Sequence, residues 1–395
     1  MKGWLRADGR KGIRNTVVVA YLVECAHFVA SRIVEGFPED DVQLIGFPGC
    51  FPNEYAARMM ERLCTHPNVG AVLFVSLGCE SFDKVRASDA VSASGRPVRT
   101  LVIQKAGGTK STVELGRDWV RDALGRVAGV EQVDMDPSEL IVGTVCGGSD
   151  GTSGISGNPA AGKAFDLLVQ AGAACIFEET GELIGCQHIM AERAVTPELG
   201  QLLIESVEKA ERYYATLGYG SFAAGNAAGG LSTIEEKSLG AYVKSGDSPI
   251  SGILKPGDVP PRGGLYLMDV VPDGEVRFGF PNISDNAEIV EMIASGAHLT
   301  LFVTGRGSVV GSAISPVIKI CANPDTYRAL ADDMDVNAGD IIEGLRSIEE
   351  VGTEIRDLVL AVASGRLTRS EELGHREFIL TYKTFEPIGP ACLPA

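Results

Sequence analysis

Residues 16–47 read TVVVAYLVECAHFVASRIVEGFPEDDVQLIGF. The first eight, 16–23, are apolar and largely β-branched with no polar alternation, which is the pattern of a strand buried on both faces. Residues 24–37 then carry apolar side chains at helical spacing, and 42–47 return to a strand pattern. The same alternation continues outward: a helix at 54–64, a strand at 69–77, a strand at 98–104 and a helix at 112–127. Strands and helices that alternate over short connections predict a parallel sheet covered on both faces. Such sheets put their chemistry in the crevice beyond the carboxyl ends of the strands.

The acidic stretch EQVDMDPS at 131–138 marks a boundary, after which the pattern restarts. A strand is expected at 140–145, a helix at 159–170, a strand at 173–177 and a long amphipathic helix at 199–217. From 218 to 285 regularity falls and Gly and Pro rise, as in KPGDVPPRGG at 255–264, too long for an idle connector. Strands at 299–304 and 316–320, a helix at 340–364 and a strand at 377–382 follow. The expected fold class is α/β: two Rossmann-like parallel-sheet domains, 1–135 and 136–395, with an irregular Gly/Pro-rich insertion in the second and most site motifs there.

Of the 395 residues, 35 are basic and 52 acidic, a formal charge of -17. That charge argues against nucleic acid or an anionic membrane as the main partner, because phosphate is repelled. No signal peptide and no apolar run of spanning length is visible, so a cytoplasmic location is expected. Nine cysteines without a Cys-x-x-Cys pair exclude a disulfide framework and a zinc ribbon. Glycine, 48 residues, is about 12% against a usual figure near 7%.

The glycines follow strands. Gly49-Cys50, Gly78-Cys79-Glu80, Cys146-Gly147-Gly148-Ser149-Asp150 and Thr304-Gly305-Arg306-Gly307-Ser308 each end an apolar run. Four such ends suggest one shared site, where backbone N–H groups and the next side chain face a ligand. The loop with Ser149, Asp150 and Ser153 leads to Asn158 and a helix start, suited to a polyhydroxylated or anionic ligand. It lacks Gly-Lys-Ser/Thr and Gly-x-Gly-x-x-Gly, so it is neither a Walker loop nor a dinucleotide loop. Arg14 and Asn15 close a basic segment from Arg6 that could clamp a carboxylate. Thr304, Arg306, Ser308 and Lys319 form a second candidate anion cradle, and Asp332, Asp333 and Asp335 an acidic triplet. Residues 178–188 (EETGELIGCQH) hold carboxylates, a thiol and an imidazole; Glu182 with His188 is a plausible donor set for Fe²⁺ or Mn²⁺. Lys237 and Lys244 stand seven apart, and a lysine with a lowered pKa can take a proton α to a carboxylate.

Taken together the motifs resemble the altronate/galactarate (UxaA) family of sugar-acid dehydratases. The likeness lies in RADGRKGIRN at 6–15, HPNVGAVLFVSLGCE at 66–80, CGGSDGTSGISGNPAAGKAFDLLV at 146–169, EETGELIGCQHIMAERA at 178–194, GGLSTIEEKSLGAYVKSG at 229–246, FVTGRGSVVGSAISPVIKICANPDTY at 302–327 and DDMDVNAGDI at 332–341. It implies a hydro-lyase that eliminates water from a hydroxy acid to give a 2-keto-3-deoxy acid, with a divalent metal, Fe²⁺ or alternatively Mn²⁺. On that reading Lys237 and His188 are catalytic; Glu182, His188, Cys79 and Cys146 lie at the metal; and Arg14, Asn15, Ser149, Asp150, Ser153, Asn158, Thr304, Arg306, Ser308 and Lys319 bind substrate. Family members carry a small SAF domain before the Arg-x-Asp-Gly-Arg motif, which begins here at Arg6, so a separate SAF-domain subunit is expected, as is a homo-oligomer. The sequence departs from the family at 47–53, which has no His, at 220–227, and at Gln187. Alternatives are elimination of sulfite from sulfolactate, an iron–sulfur dehydratase using Cys50, Cys79 and Cys146, and a non-catalytic sugar-acid-binding subunit.

Overall fold

The computed structural model describes residues 1–38, 41–217, 222–273 and 284–381. In chain order the first part runs β1 (Lys2–Leu5), β2 (Lys11–Gly12), β3 (Thr16–Tyr21), α1 (Glu24–Val34), β4 (Val42–Gly46), α2 (Glu54–Cys64), β5 (Val69–Ser76), α3 (Lys84–Ala93), β6 (Val98–Val102), α4 (Thr109–Val127) and β7 (Gln132–Asp134). Four of these strands form a parallel sheet in the order β4-β3-β5-β6. The unbroken apolar runs are explained by their two faces. Val17 and Val19 of β3 point to one hydrophobic cluster with α1 and α4; Val18 and Ala20 point to another with α2. A small antiparallel sheet, β2-β1-β7, pairs the start of the chain with the segment after α4.

The second part runs β8 (Ile141–Cys146), α5 (Gly157–Gln170), β9 (Ala174–Phe177), α6 (Gln187–Glu192), α7 (Pro197–Leu217), α8 (Ala224–Ala228), α9 (Ile234–Tyr242), β10 (Ile250–Leu254), β11 (Gly264–Met268), α10 (Asp285–Ala294), β12 (Leu299–Thr304), β13 (Val317–Cys321), α11 (Pro324–Ala329), β14 (Val336–Asn337), α12 (Ile348–Ala363) and α13 (Arg369–Glu372). Its sheet is seven-stranded and parallel, in the order β10-β11-β9-β8-β12-β13-β14. The α/β class with parallel sheets is therefore as the sequence predicts. α5 and α12 cover one face; α2 and α10 lie between the other face and the four-stranded sheet, with Met59, Met60, Ile289 and Ile293 in the shared core. Among the described residues no helix is long and apolar enough to cross a membrane.

Three elements differ from expectation. The stretch from 218 to 285, expected to be irregular, contributes β10 and β11, which extend the sheet beyond β9. Residues 218–221 and 274–283 of it lie outside the described residues. α12 starts at Ile348 and not near 340, because the Ser347 hydroxyl accepts the Glu350 N–H and the Glu350 carboxylate accepts the Ser347 N–H, a capping box that fixes the first turn. Residues 377–381 form no strand, and Tyr382 lies outside the described residues.

Two buried histidines join the sheets. His66 Nδ1 accepts the Asn68 N–H (3.1 Å), which leaves Nε2 to donate to the Ala297 carbonyl (3.2 Å). His298 Nδ1 accepts the Ile141 N–H (3.0 Å), and Nε2 donates to the Lys11 carbonyl (2.9 Å). Both rings are therefore held neutral. Burial pushes His66 well down, helped by His298, and pushes His298 from 6.5 to about 4. A base whose folded pKa is depressed stabilises the fold above its unfolded pKa and loses that contribution as pH falls toward the folded value. For His298 alone the drop is about 3 kcal/mol between pH 6.5 and 4. Urea unfolding followed across that window should show the loss. A His298→Gln variant, which cannot take up the proton, should flatten the profile; an unchanged acid slope would refute the assignment.

Candidate active site

The carboxyl ends of the seven-stranded sheet converge on one cluster of charged groups. β8 ends at Cys146, whose thiol is buried. β9 ends at Phe177 and is followed by Glu178 and Glu179. Glu179 adopts a left-handed backbone (φ 79°), a conformation that costs a non-glycine residue on the order of 1–3 kcal/mol and collects at functional sites. The twist aims its carboxylate back at β8, where it accepts the Cys146 N–H (3.0 Å) and the thiol (3.3 Å). Glu182, one turn further on, accepts the same thiol (3.2 Å).

Two lysines answer these carboxylates. Lys244 is fully buried and pairs with Glu179, with Glu182 at 3.8 Å and Cys146 Sγ at 3.3 Å. Lys237, on α9, pairs with Glu182. Burial disfavours both ammonium groups, but Glu182 beside Lys237, and Cys146, Glu179 and Glu182 around Lys244, outweigh it, so both lysines are held charged and not lowered as the sequence suggests for a base. Burial and the neighbouring Glu182 charge push Glu179 up; burial acts on Glu182 too, but Lys237 and Lys244 overcome it and hold Glu182 down. Burial, then Glu179 and Glu182, hold the Cys146 thiol protonated. Asp285, at the start of α10, is pushed up to about 6 by burial and by Glu182. α10 reaches this close because Gly147 has no side chain: a Cβ there would lie 1.9 Å from Asp285 Oδ2.

Cys146, Glu182, Lys237 and Asp285 line a cavity of about 490 Å³, together with Ser149, Asn226 and Arg306. A second hollow of about 260 Å³ shares Ser149 and Lys237 with it and adds Asp150, Ser153 and Asn158. Asp150 is braced: its carboxylate accepts the Thr152 N–H (2.9 Å) and the Asn323 amide (3.1 Å). Arg306 reaches across the mouth to the Gly225 carbonyl. Thr304 lies beneath, with its hydroxyl accepting the Gly307 N–H (3.0 Å).

The structure thus brings together Cys146, Ser149, Asp150, Ser153, Asn158, Glu182, Lys237 and Arg306 of the predicted site. Thr304 shapes the adjoining turn, and Ser308 caps it by accepting the Val310 N–H (3.2 Å). Five others lie apart. Arg14 is engaged by Glu371 (2.7 and 2.9 Å) and by the Val362 and Arg366 carbonyls, tying the first sheet to α13. Asn15 bonds Arg6 and the Val127 carbonyl. His188 is exposed on α6, because Cys186 and Met190 take the buried positions. Cys79 is exposed at the end of β5. Lys319 is buried with its amine 3.3 Å from His375 Nδ1. Sequence reasoning did not select Glu179, Lys244, Asp285 and Glu288. The seven-residue spacing from Lys237 was a signal for Lys244.

Cys146, Glu179 and Glu182 offer donor atoms within 4.8 Å of one another, and so do Glu179, Asp285 and Glu288. Among the described residues one thiol and four carboxylates face two lysines, and Glu179 and Asp285 are raised by burial and then by the charge of Glu182. Mixed oxygen and sulfur donors suit a first-row divalent ion, so the residues fit a divalent metal.

Residues 137–385 match the family model described as D-galactarate/altronate dehydratase, C-terminal. The chain belongs to the D-galactarate/altronate dehydratase family. Residues 3–128 match the same family's model for the second domain, described as D-galactarate dehydratase/altronate hydrolase. Among curated relatives, the (2R)-sulfolactate sulfo-lyase subunit beta of Chromohalobacter salexigens is 32% identical over 96% of this chain and 96% of that protein. The galactarate dehydratase (L-threo-forming) of Escherichia coli is 33% identical, over 92% of this chain and 73% of its own. The altronate dehydratase of Bacillus subtilis is 29% identical, over 96% and 77%. The family is one of lyases, and the chain that carries its fold is an enzyme of the hydro-lyase type.

Proposed function

We propose that this enzyme eliminates water from a sugar acid of the altronate or galactarate kind, giving a 2-keto-3-deoxy acid. The observation that carries the reading is the cavity lined by Cys146, Glu182, Lys237, Asp285 and Arg306, with the Lys244–Glu179 pair buried against Cys146 and Glu182. In such an elimination the C2 proton leaves to a base, the C3 hydroxyl departs with a proton, and the enol formed becomes the 2-oxo acid. Arg306 is placed to receive a substrate carboxylate, and a guanidinium does so bidentately. Ser149, Ser153 and Asn158 line the adjoining hollow where hydroxyls of a six-carbon chain would be held. Lys237 is common to both hollows and we assign it as the base, a role that requires its ammonium, held charged by Glu182 in the structure, to give up its proton before the C2 proton is taken. Cys146, Glu179 and Glu182, with Asp285 and Glu288 nearby, would hold a divalent cation, Fe²⁺ in our reading and Mn²⁺ as the substitute, which when bound supplies Lewis acidity to the substrate's oxygens.

Elimination of sulfite from sulfolactate is the second reading, favoured by the match along nearly the whole sulfo-lyase subunit. That relative's naming as a subunit supports a partner chain here, for which we propose a small SAF-domain subunit alongside self-association and a cytoplasmic location. An anaerobic screen of the Fe²⁺-loaded enzyme against hexonates, hexarates and sulfolactate, reading 2-oxo acid and sulfite, separates the two. Formation of 2-oxo acid from a hexonate or hexarate is the expected result. Sulfite release from sulfolactate alone would replace the first reading with the second, and binding without product would remove both.

A further inference from the structure

Of the eight described cysteines, Cys25, Cys50 and Cys79 are exposed while the other five are buried. Cysteine is among the residue types most often buried, so three exposed thiols need a reason. They share a position in the fold. β4, β3 and β5 are consecutive neighbours and all parallel, so their carboxyl ends lie side by side. Each is followed there by one thiol: Cys25 in the first turn of α1 behind β3, Cys50 in the turn behind β4 and Cys79 in the turn behind β5.

Backbone hydrogen bonds fasten the three turns to one another. The Glu24 N–H donates to the Pro48 carbonyl (3.2 Å), and the Ser81 N–H donates to the Cys50 carbonyl (2.9 Å). Gly78, at φ 127°, lets the chain turn sharply just before Cys79. Neighbouring strands lie about 4.8 Å apart, so three successive strand ends span roughly the width of a small polynuclear centre. In such a centre each thiolate takes a different iron.

We infer that Cys25, Cys50 and Cys79 hold an iron–sulfur cluster of the four-iron type, three irons each bound by one thiolate and the fourth open to an oxygen ligand. Cys146, the third thiol that the sequence suggested beside Cys50 and Cys79, lies in the other sheet among carboxylates; Cys25 takes its place. The cluster is distinct from the carboxylate cavity yet tied to it. The turn bearing Cys50 runs into α2, whose Tyr55 hydroxyl donates to Glu291 of α10, the helix that begins at Asp285. The inference goes beyond the lyase reading, and its readout is cluster content, not turnover.

The test is anaerobic reconstitution of the full chain with ferric iron, sulfide and a thiol reductant, followed by assay of bound iron and acid-labile sulfide and by electron paramagnetic resonance after reduction. The expected wild-type content is about four labile sulfides per chain. Cys25→Ser, Cys50→Ser and Cys79→Ser should each lower bound sulfide several-fold, with circular dichroism unchanged. Cys146→Ser should leave it at the wild-type level. Iron without labile sulfide, a Cys50–Cys79 disulfide in place of a cluster, or full sulfide in the three serine variants would each overturn the inference.

Discussion

Replacing Lys244 by Met should lower stability by about 3–5 kcal/mol, the usual consequence of removing one partner from a buried ion pair. The ammonium is fully buried and touches Glu179, Glu182 and Cys146 at once. Without it, Glu179 loses its paired positive charge and Glu182 keeps Lys237 alone, and Glu179 keeps its strained backbone with no ion pair to hold it. Methionine matches the stem in volume, so packing loss is a minor part of the effect. The double variant Lys244→Met/Glu179→Gln separates the causes. Neutralising the stranded carboxylate should restore much of the loss, because an amide in that position still accepts the Cys146 N–H. Urea unfolding midpoints of the three proteins at neutral pH provide the measurement. A single variant as stable as wild type would mean that the pair contributes nothing to folding.

The strands that carry this cluster were legible in sequence because each is a run of β-branched or apolar residues buried on both faces; all eight residues of β5 and all six of β12 are buried. β10 and β11 were hidden. ISGIL and GLYLM are short, contain glycine and flank a proline-rich connection, and they become strands because β9 offers an edge to pair with. The loop after β8 was legible for its local chemistry. Asp285 and Glu288 were not, since only the packing of α10, whose Asp285 lies over the glycine at 147, brings them to Glu179. Arg14 shows the opposite failure. A basic residue in an acidic protein invites a ligand, but its carboxylate comes from Glu371, 357 residues away in the chain. His188 failed for a reason of phase: on a helix as short as α6, the buried positions at Cys186 and Met190 turn it outward.

Lys237→Met is expected to reduce kcat by about 10²–10⁴-fold, the range for loss of a positioned acid or base, with little change in KM. Substrate contacts on this reading lie with Arg306, Ser149 and Asn158, and none of those changes. Stability should fall less than for Lys244, because Lys237 lines both hollows and Glu182 can be reached by solvent once it is gone. Metal content should be retained, since Cys146 and the carboxylates are intact. The Lys237→Arg variant decides what the amine does. Arginine keeps the charge beside Glu182 but does not deprotonate at accessible pH. If the amine takes the C2 proton, arginine is as inactive as methionine, and solvent deuterium no longer exchanges into C2 of the bound acid. If arginine recovers turnover to within a few-fold of wild type, the contribution is electrostatic and the base lies elsewhere in the cavity.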